Sequence, residues 1–510
     1  MISPTDTVYP VLKENLNLYE LNSCFLASED EISFIENETR STSSKLGFLI
    51  MLKTFQNLGY FIKIENVPKN IISFISSQLN IEQFDSILID YDSSRNRLKQ
   101  MDKILEFMSV KNYSDIGDQI VEKVAKNNAL VRENLSDIIN ACIETLLHDR
   151  IELPAFSRLH REAMNQRAQV YNELYLRIFN DIGVNRRNII DNLFIVDPLT
   201  RKSEWDNIKF EIGKPKPKEI KKLIKHIHSL NNIIEIESFF EGIPSIKIEQ
   251  MAVEAEYLDA SDMQRVEAHK RYSLAIALIK IKKSKSVDSL IDIFLRQMSS
   301  IFYLAKEELD KYLKENQDKT DEIMKKFISV EDVVKDGLTN GEKVDLISNI
   351  YQENISLSTY ARTHCEYGGK QHIRFMAKFF KKKRKLIFRI LESLKFFSAT
   401  QDEGITRSLE FMIAHKRSRK PIIETFAKSK KRSDLILMDV KWIEQKWWKL
   451  VTSQKKRESF PETVRREHFE VCLCDALSMS LRCGDIYVLE VLIITIIEKN
   501  FYLYLNVKRQ

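Results

Sequence analysis

The part of the sequence that decides the fold reads FLASEDEISFIE at residues 25–36, KLGFLIMLKTF at 45–55 and VPKNIISFISSQL at 67–79. Ser28 and Glu31 fit a capping box at the start of the first segment. In such a box the Ser hydroxyl and the Glu carboxylate each accept a hydrogen bond from a backbone amide that would otherwise be free. The first segment is therefore predicted to form a helix that begins just after Ser28.

The second and third segments carry start signals of their own. Residues 41–44 interrupt the pattern, so Lys45 is expected to open the second helix. Pro68 is expected at the first helical position of the third helix, where a missing amide costs no hydrogen bond. Apolar residues then recur at helical spacing in both segments, at Leu46, Leu49, Ile50, Ile71, Ile72, Ile75 and Leu79. The block predicts three compact helices.

The composition of the whole chain favours the same class of structure. Of 510 residues only 12 are Gly and 10 are Pro, which favours long helices with few tight turns. A hydrophobic content of 44% excludes a wholly disordered chain. At about 150 residues per domain, the length corresponds to roughly three to four domains. The sequence therefore predicts a mainly α protein with several helical modules in series.

The location of the protein can also be argued from the sequence. The six cysteines do not form the framework of a small secreted domain, and they are typical of a reducing cytosol. Residues 1–10 lack the apolar core of a signal peptide. No run of about 18 apolar residues is long enough to span a membrane. We therefore expect a cytoplasmic protein with no membrane partner.

Positive charge is concentrated in a few stretches, since the net charge of the chain is only +6. The basic stretches are residues 95–99, 214–225 and 378–389, and Arg residues also decorate one side of a helix predicted to start near Pro154. Two interpretations fit each of them: a solvated helix face, or a face that contacts phosphates. The run KFFKKKRK at 378–385 contains no acidic residue, which favours a polyanionic partner.

Motifs that carry chemistry are scarce in this sequence. It has neither the GxxxxGK[ST] loop that cradles phosphates nor the GxGxxG dinucleotide fingerprint. His468, Cys472, Cys474 and Cys483 lie close together, but their spacings fit no closed zinc site. The apolar residues between them predict buried structural cysteines instead. We expect no metal ligand and no catalytic residue among these groups.

The N-terminal segments resemble the start of the large transposases of class II replicative transposons, the Tn-three family. Members of that family open with FLT-x-x-E-x-x-F-I, then R/K-LGFA-x-Q-L, then VP-x-x-V-x-x-FIA-x-QL. The likeness continues in order with ELPAF, EAEYLDA, RYSLA, LEF, KW, WWKLV, REHFE, AL and LRCGDIYV, at residues 152–156, 254–260, 271–275, 409–411, 441–442, 447–451, 466–470, 476–477 and 481–488.

The resemblance implies a division of roles along the chain. The N-terminal part of such transposases binds the terminal inverted repeats of the transposon, so helix-turn-helix-like DNA-binding units are expected in about the first 300 residues. Helical dimerisation or scaffold segments are expected after them. The implied partners are double-stranded DNA at the terminal inverted repeats and a second copy of the chain, in a homodimer that serves DNA transposition.

Five regions are expected on this basis. The KPKPK stretch at 214–218 is the clearest linker, because each residue before a proline is pushed out of the helical conformation. The regions are a DNA-binding domain at 1–150, a second helical unit at 151–213, a linker and third DNA-binding unit at 214–330, a dimerisation and scaffold region at 331–488, and an aberrant tail at 489–510.

The sequence departs from the family pattern after Val488. Family members continue into a GS-x-x-Y/F segment and an RNase-H-like domain, in which three carboxylates hold two Mg²⁺ ions around the scissile phosphate. Residues 489–510 bear no likeness to that segment and resemble a frameshifted terminus. We therefore expect a truncated portion with no catalytic residue and no cofactor, Mg²⁺ being implied only for the absent domain.

Because the resemblance implies DNA binding, basic residues of the chain are candidate DNA contacts. They are Lys45, Lys53, Arg95, Arg97, Lys99, Arg158, Arg161, Arg167, Lys214, Lys216, Lys218, Lys221, Lys222, Lys381, Lys382 and Arg384. Two alternatives stay open: an active nuclease or transposase with an unrecognised metal site within 331–488, and a helical scaffold protein with no DNA role. The sequence alone therefore leaves enzymatic activity undecided.

Overall fold

The structure is a computed structural model that describes residues 2–81, 88, 91–233, 237–351, 359–362, 371–424, 440–454, 457 and 461–488, with the backbone alone at 95, 237 and 351. Most of these residues are helical, which confirms the predicted mainly α class. The chain forms two compact units. Unit 1 comprises Met1–Trp205 and Glu235–Leu278, and unit 2 comprises Asp206–Ile234 and Ile279–Gln510.

The described helices are numbered in chain order. They are α1 (Leu18–Phe25), α2 (Glu29–Glu38), α3 (Thr42–Leu58), α4 (Lys69–Gln78), α5 (Arg95–Met108), α6 (Tyr113–Val131), α7 (Leu135–His148), α8 (Phe156–Asp181), α9 (Val184–Leu193), α10 (Glu204–Ile208), α11 (Pro217–Ile233), α12 (Ser245–Tyr257), α13 (Ala260–Arg265), α14 (Ala268–Glu315), α15 (Gln317–Lys335), α16 (Asn340–Tyr351), α17 (Ile373–Glu392), α18 (Gly404–Ala414), α19 (Gln445–Thr452) and α20 (Arg466–Cys483). No helix in the described ranges combines the length and the apolarity needed to cross a bilayer.

In the described part of unit 2, four short strands accompany the helices. They are β1 (Phe396–Ser398), β2 (Ile422–Glu424), β3 (Thr463–Arg465) and β4 (Ile486–Val488). Strand β1 pairs antiparallel with β4, and β2 pairs antiparallel with β3. In the second pair Ile423 lies opposite Val464, and both side chains are buried. The two-stranded pairs thus fix both ends of α20, because β3 runs directly into it and β4 follows it.

Helix α3 is the centre of the N-terminal bundle in unit 1. Its residues 46–55 are all buried, and α1, α2, α4 and α5 pack against it. A helix that is apolar on every side must be covered on every side, and this requirement draws the neighbouring helices around it. The stripe predicted for α4 packs on this core, with Ile71, Ile72 and Ile75 buried.

The predicted starts of the first helices are partly right. The capping box is confirmed: the Glu31 amide donates to Ser28 Oγ at 3.2 Å, and the Ser28 amide donates to the Glu31 carboxylate at 2.8 Å. The start predicted at Lys45 is wrong, because Ser41 caps α3 and the following serines form its first turn. Pro68 is the residue before α4 rather than its first helical residue.

Helices α6, α7 and α8 form a second helical group in unit 1. A buried ion pair attaches α12 to it: the fully buried Lys247 ammonium lies 2.7 Å from the Glu133 carboxylate and donates to the Arg132 carbonyl at 2.9 Å. Tyr171 on α8 donates its hydroxyl to the same carboxylate at 2.7 Å. The Glu133 carboxylate, which lies between α6 and α7, therefore links α8 and α12 through Tyr171 and Lys247.

Unit 2 is built around α17 and α20, which pack against each other. The basic run at 378–389 is helical as predicted and lies within α17. Its aromatic residues point into the core, since Phe380 and Phe388 are buried, whereas most of its Lys residues are exposed. Helix α17 is therefore amphipathic, with one apolar face and one strongly basic face.

The packing of α3 predicts a specific sensitivity at Gly47. A methyl group at this position would collide with the ring of Tyr91, which is buried against the helix. We expect Gly47→Ala to lower the free energy of unfolding by about 1–3 kcal/mol, because the ring cannot retreat from a packed core. Urea unfolding followed by circular dichroism measures the change. Gly213→Ala is the matched control, because a methyl group there meets open space; equal stability of the two variants would contradict this packing.

Candidate nucleic-acid interface

The candidate DNA contacts are distributed over both units and differ in what their charges do. Eight are exposed and form no ion pair with another described residue: Lys99, Arg161, Lys214, Lys216, Lys218, Lys221, Lys381 and Lys382. Seven are paired with carboxylates: Lys45, Lys53, Arg97, Arg158, Arg167, Lys222 and Arg384. Arg95 opens α5, and its side chain lies outside the described part of the structure.

Lys53 is the candidate farthest from solvent. Its side chain is 8% exposed, and its ammonium lies 3.3 Å from the Glu31 carboxylate. Burial raises the pKa of the Glu31 carboxyl, but hydrogen bonds from Gln56 and Ser28 and the charge of Lys53 outweigh burial and leave this pKa below its ordinary value. A phosphate contact by Lys53 would require this pair to break inside the bundle.

Arg97 and Arg167 also serve local structure. Arg97 lies 3.2 Å from the Asp92 carboxylate and donates to the Ile62 carbonyl at 3.0 Å. Arg167 donates to the Glu133 carbonyl at 3.2 Å. Both guanidinium groups are therefore fixed to neighbouring elements. Their geometry favours a role in holding loops over a role in contacting DNA.

Lys99 lies in a polar cleft of about 600 Å³ between the start of α3 and the exposed side of α5. Arg40 and Lys103 line the same cleft, but so do Glu38 and Glu106, each within 3.7 Å of Lys103. The charges in this cleft are nearly balanced. It offers hydrogen-bonding groups to a ligand rather than a strong positive field.

The exposed candidates of unit 2 follow the chain into α11. Lys214, Lys216, Lys218 and Lys221 are exposed, and α11 begins at Pro217 within this stretch. Lys222 is exposed too, but it lies 3.1 Å from the Glu219 carboxylate. The opposite side of α11 is buried, so the helix presents a basic face to solvent.

Two of the candidates, Lys381 and Arg384, meet other cations in a cleft of about 900 Å³ in unit 2. We call this the α20 cleft, because the first turn of α20 forms one of its walls. Its charged residues are Lys381, Arg384, Arg419, Lys420, Arg465, Arg466, Glu467 and Glu470, and His468 also lines it. Six cations thus face two carboxylates in one concave surface.

Sequence reasoning missed four of these cations. Arg419 and Lys420 come from the loop after α18, and Arg465 and Arg466 come from the junction of β3 and α20. Each pair is short and isolated in the sequence, whereas the basic stretches that indicated phosphate contacts are longer runs. The REHFE motif at 466–470 was the available signal, since it placed a family pattern on the same residues.

The predicted cysteine cluster does not converge on a metal. Cys472 and Cys474 are buried, as expected, and burial raises the pKa of both thiols well above their ordinary range. Cys483 is exposed at the end of α20, so its predicted burial is wrong. The part of the chain that the structure describes contains no group of three or more His, Cys, Asp or Glu side chains placed to hold a metal ion.

The sequence of this chain is similar to one known domain family and to transposases. Residues 5–165 match a family described as a domain of unknown function, DUF4158. The chain is 20% identical over 486 residues to the transposase for transposon Tn1546 of Enterococcus faecium, covering 91% of this chain and 46% of that protein. It is 19% identical over 476 residues to the transposase for transposon Tn2501 of Escherichia coli, covering 91% of this chain and 45% of that protein.

The chain is related to transposases. The likeness extends over most of this chain, while the chain spans less than half the length of these two curated relatives. The DUF4158 match covers the helices of the N-terminal bundle and those of the α6–α8 group up to the first part of α8. The matched residues 5–165 lie in unit 1, and the α20 cleft lies in unit 2.

The Lys53–Glu31 pair predicts a pH dependence of stability. Because the folded-state pKa of Glu31 lies below its ordinary value of 4.5, the carboxylate stabilises the fold fully above about pH 4.5, and this stabilisation is lost as pH falls through the lower folded value. Urea unfolding from pH 3 to about pH 7 measures it. We expect Glu31→Gln to be less stable at neutral pH and less dependent on pH below 4.5 than the wild type.

Glu29→Gln is the matched control for this experiment, because Glu29 is an exposed carboxylate in the first turn of the same helix. Its pH profile should follow the wild type closely. A Glu31→Gln profile parallel to both of them would show that the buried pair does not contribute to the acid sensitivity of the fold.

Proposed function

We propose that residues 1–510 bind double-stranded DNA at the terminal inverted repeats of a transposon of the Tn-three type, and that these residues by themselves do not cut or join strands. The observation that carries the proposal is the likeness to two transposases across 91% of the chain. The order of the quoted motifs along the sequence supports the same family. In this proposal the protein forms a homodimer, as the resemblance implies, and acts in the cytoplasm, of which its cysteines are typical.

The distribution of charge supports a DNA partner. Exposed cations that form no ion pair with another described residue lie on α5, α8, α11 and α17, each of which buries its other side. Such helices can lie in or beside a major groove while Lys and Arg contact phosphates. Phosphate contacts fix the position of a protein on DNA, and contacts to base edges supply its sequence preference.

The absence of strand cleavage rests on the resemblance. The catalytic carboxylates of the Tn-three family belong to a domain that follows the last matching motif at 481–488, and none of the matching positions is one of them. The proposal therefore gives Mg²⁺ no role in DNA binding by this chain.

Competition between duplexes tests the specificity. We expect the purified protein to bind an inverted-repeat duplex from its own transposon at least about 10³-fold more tightly than a shuffled duplex of equal length and composition. Affinity should also fall steeply as salt rises, because phosphate contacts release counterions. An electrophoretic mobility-shift assay with each duplex as competitor measures both. Equal affinity for the two duplexes would refute recognition of the repeats.

Incubation with Mg²⁺ tests the absence of strand cleavage. Labelled duplex that carries a transposon end and its flanking DNA should stay intact when the saturating protein and Mg²⁺ are added. The same complex without Mg²⁺ is the control. Nicks at the transposon end that depend on Mg²⁺ would contradict the proposal and favour the alternative of an active nuclease.

A further inference from the structure

The α20 cleft gathers cations around the first turn of α20. Four of its cations are exposed: Lys381, Arg419, Lys420 and Arg465. Arg466 forms the buried end of the site and is 9% exposed. The excess of cations over carboxylates produces a positive field, and the concave shape concentrates it on the start of α20.

The first turn of α20 adds hydrogen-bond donors to this field. A helix leaves its first amides without partners inside the helix, and the macrodipole places positive charge there. The Arg466 amide donates to the Pro421 carbonyl at 2.8 Å, which fixes the helix start against the strand β2. No side chain caps the turn, and no described residue accepts a hydrogen bond from the amides of Glu467 and His468. Both residues line the cleft.

The Arg466 guanidinium is the second, independent indication of a ligand. Its Nε donates to the Lys420 carbonyl at 2.7 Å, which fixes the plane of the group. Its Nη1 is buried and has no hydrogen-bond partner among the described residues. A buried, charged donor without a partner is costly, so a ligand that accepts from Nη1 would stabilise the site.

The hydrogen bonds of Glu470 account for the lack of a described hydrogen-bond partner at Nη1 of Arg466. The Glu470 carboxylate is 2% exposed and accepts two hydrogen bonds from Arg384, at 2.5 and 2.8 Å. The nearest approach of Arg466 Nη1 to the same carboxylate is 3.7 Å, which is too long for a hydrogen bond. Arg384 therefore positions Glu470 through two hydrogen bonds, while Arg466 lies beside the pair and its Nη1 makes no hydrogen bond to a described residue.

We propose that the α20 cleft binds a phosphate group of a DNA backbone, which accepts hydrogen bonds from Arg466 Nη1 and from the first-turn amides of α20. The exposed Arg419, Lys420 and Arg465 neutralise the adjacent phosphates. The assignment of the phosphate to DNA rests on the proposed function. It places a backbone contact in the region 331–488, for which the resemblance implied only dimerisation or scaffold segments. Arg384 becomes a positioning residue in this site.

The double variant Arg419→Ala/Lys420→Ala tests the site in the full-length chain. Both side chains are exposed, so the variant should melt at the wild-type temperature. Lys311→Ala/Lys314→Ala is the matched control, because it removes two exposed lysines of unit 2 that lie outside the cleft. Affinity for an inverted-repeat duplex and for a random duplex is measured as a function of salt.

We expect the cleft variant to bind both duplexes on the order of tenfold more weakly, with the slope of log affinity against log salt smaller by about two. The control should match the wild type. Equal behaviour of the cleft variant and the control would overturn the site. An Arg466→Lys variant, which keeps the charge and removes the fork of donors, should weaken binding to both duplexes as well.

A second measurement separates DNA from free phosphate as the source of the group. Inorganic phosphate at constant ionic strength is added, and the melting temperatures of the wild type and the cleft variant are compared. Stabilisation of the wild type alone, without any difference in DNA affinity, would assign the cleft to free phosphate and overturn the DNA contact. A loss of DNA affinity in the cleft variant supports the contact.

The site and the proposed function can fail separately. A backbone contact lowers affinity for every duplex by the same factor, so the ratio between repeat and random DNA should not change in the cleft variant. If the wild type shows no such ratio, repeat recognition fails while a uniform loss in the variant still supports the site. If the ratio is present and the variant binds normally, only the site fails.

Discussion

The cost of burying charge organises the described parts of this protein. A buried cation is tolerated only when a carboxylate faces it, and removal of one partner from such a pair costs about 3–5 kcal/mol. Among the described residues, the buried cations that satisfy this requirement include Lys53 with Glu31, Lys247 with Glu133 and Lys282 with Glu211, and the buried Glu470 faces Arg384. The pairs Lys247 with Glu133 and Arg384 with Glu470 join elements that are distant in sequence, whereas Lys53 with Glu31 joins the consecutive helices α2 and α3. Such pairs favour one arrangement of helices over others that apolar stripes alone would allow.

The same requirement decides which cations are available to a partner. Lys and Arg number 79 in this chain, but many of those in the basic stretches already have carboxylate partners. The available positive charge lies where pairing is incomplete, on the exposed helix faces and in the α20 cleft. In that cleft the hydrogen bonds of Arg384 to the buried Glu470 carboxylate leave Nη1 of the neighbouring Arg466 without a hydrogen-bond partner among the described residues. The same pairing of charges therefore stabilises the fold and limits which Lys and Arg side chains can contact DNA.

Local features could be read from the sequence, and long-range ones could not. The capping box of Ser28 and Glu31 depends on a spacing of three residues, and the structure contains it. The start of α3 was misplaced because a run of serines fits both an interruption and a cap. Arg384 and Glu470 are 86 residues apart, so no pattern in either stretch indicates their contact. The α20 cleft depends on such contacts, so the structure reveals it and the sequence does not.

Hydrogen–deuterium exchange of the full-length chain, with and without a saturating inverted-repeat duplex, tests most directly whether this protein contacts DNA through both units. Exchange should slow at the amides of Glu467 and His468 in unit 2 and along the exposed faces of α5 and α8 in unit 1. A shuffled duplex should protect the first turn of α20 to a similar extent when it is bound. Unchanged exchange in both units at concentrations that saturate binding would contradict the DNA-binding role of these surfaces.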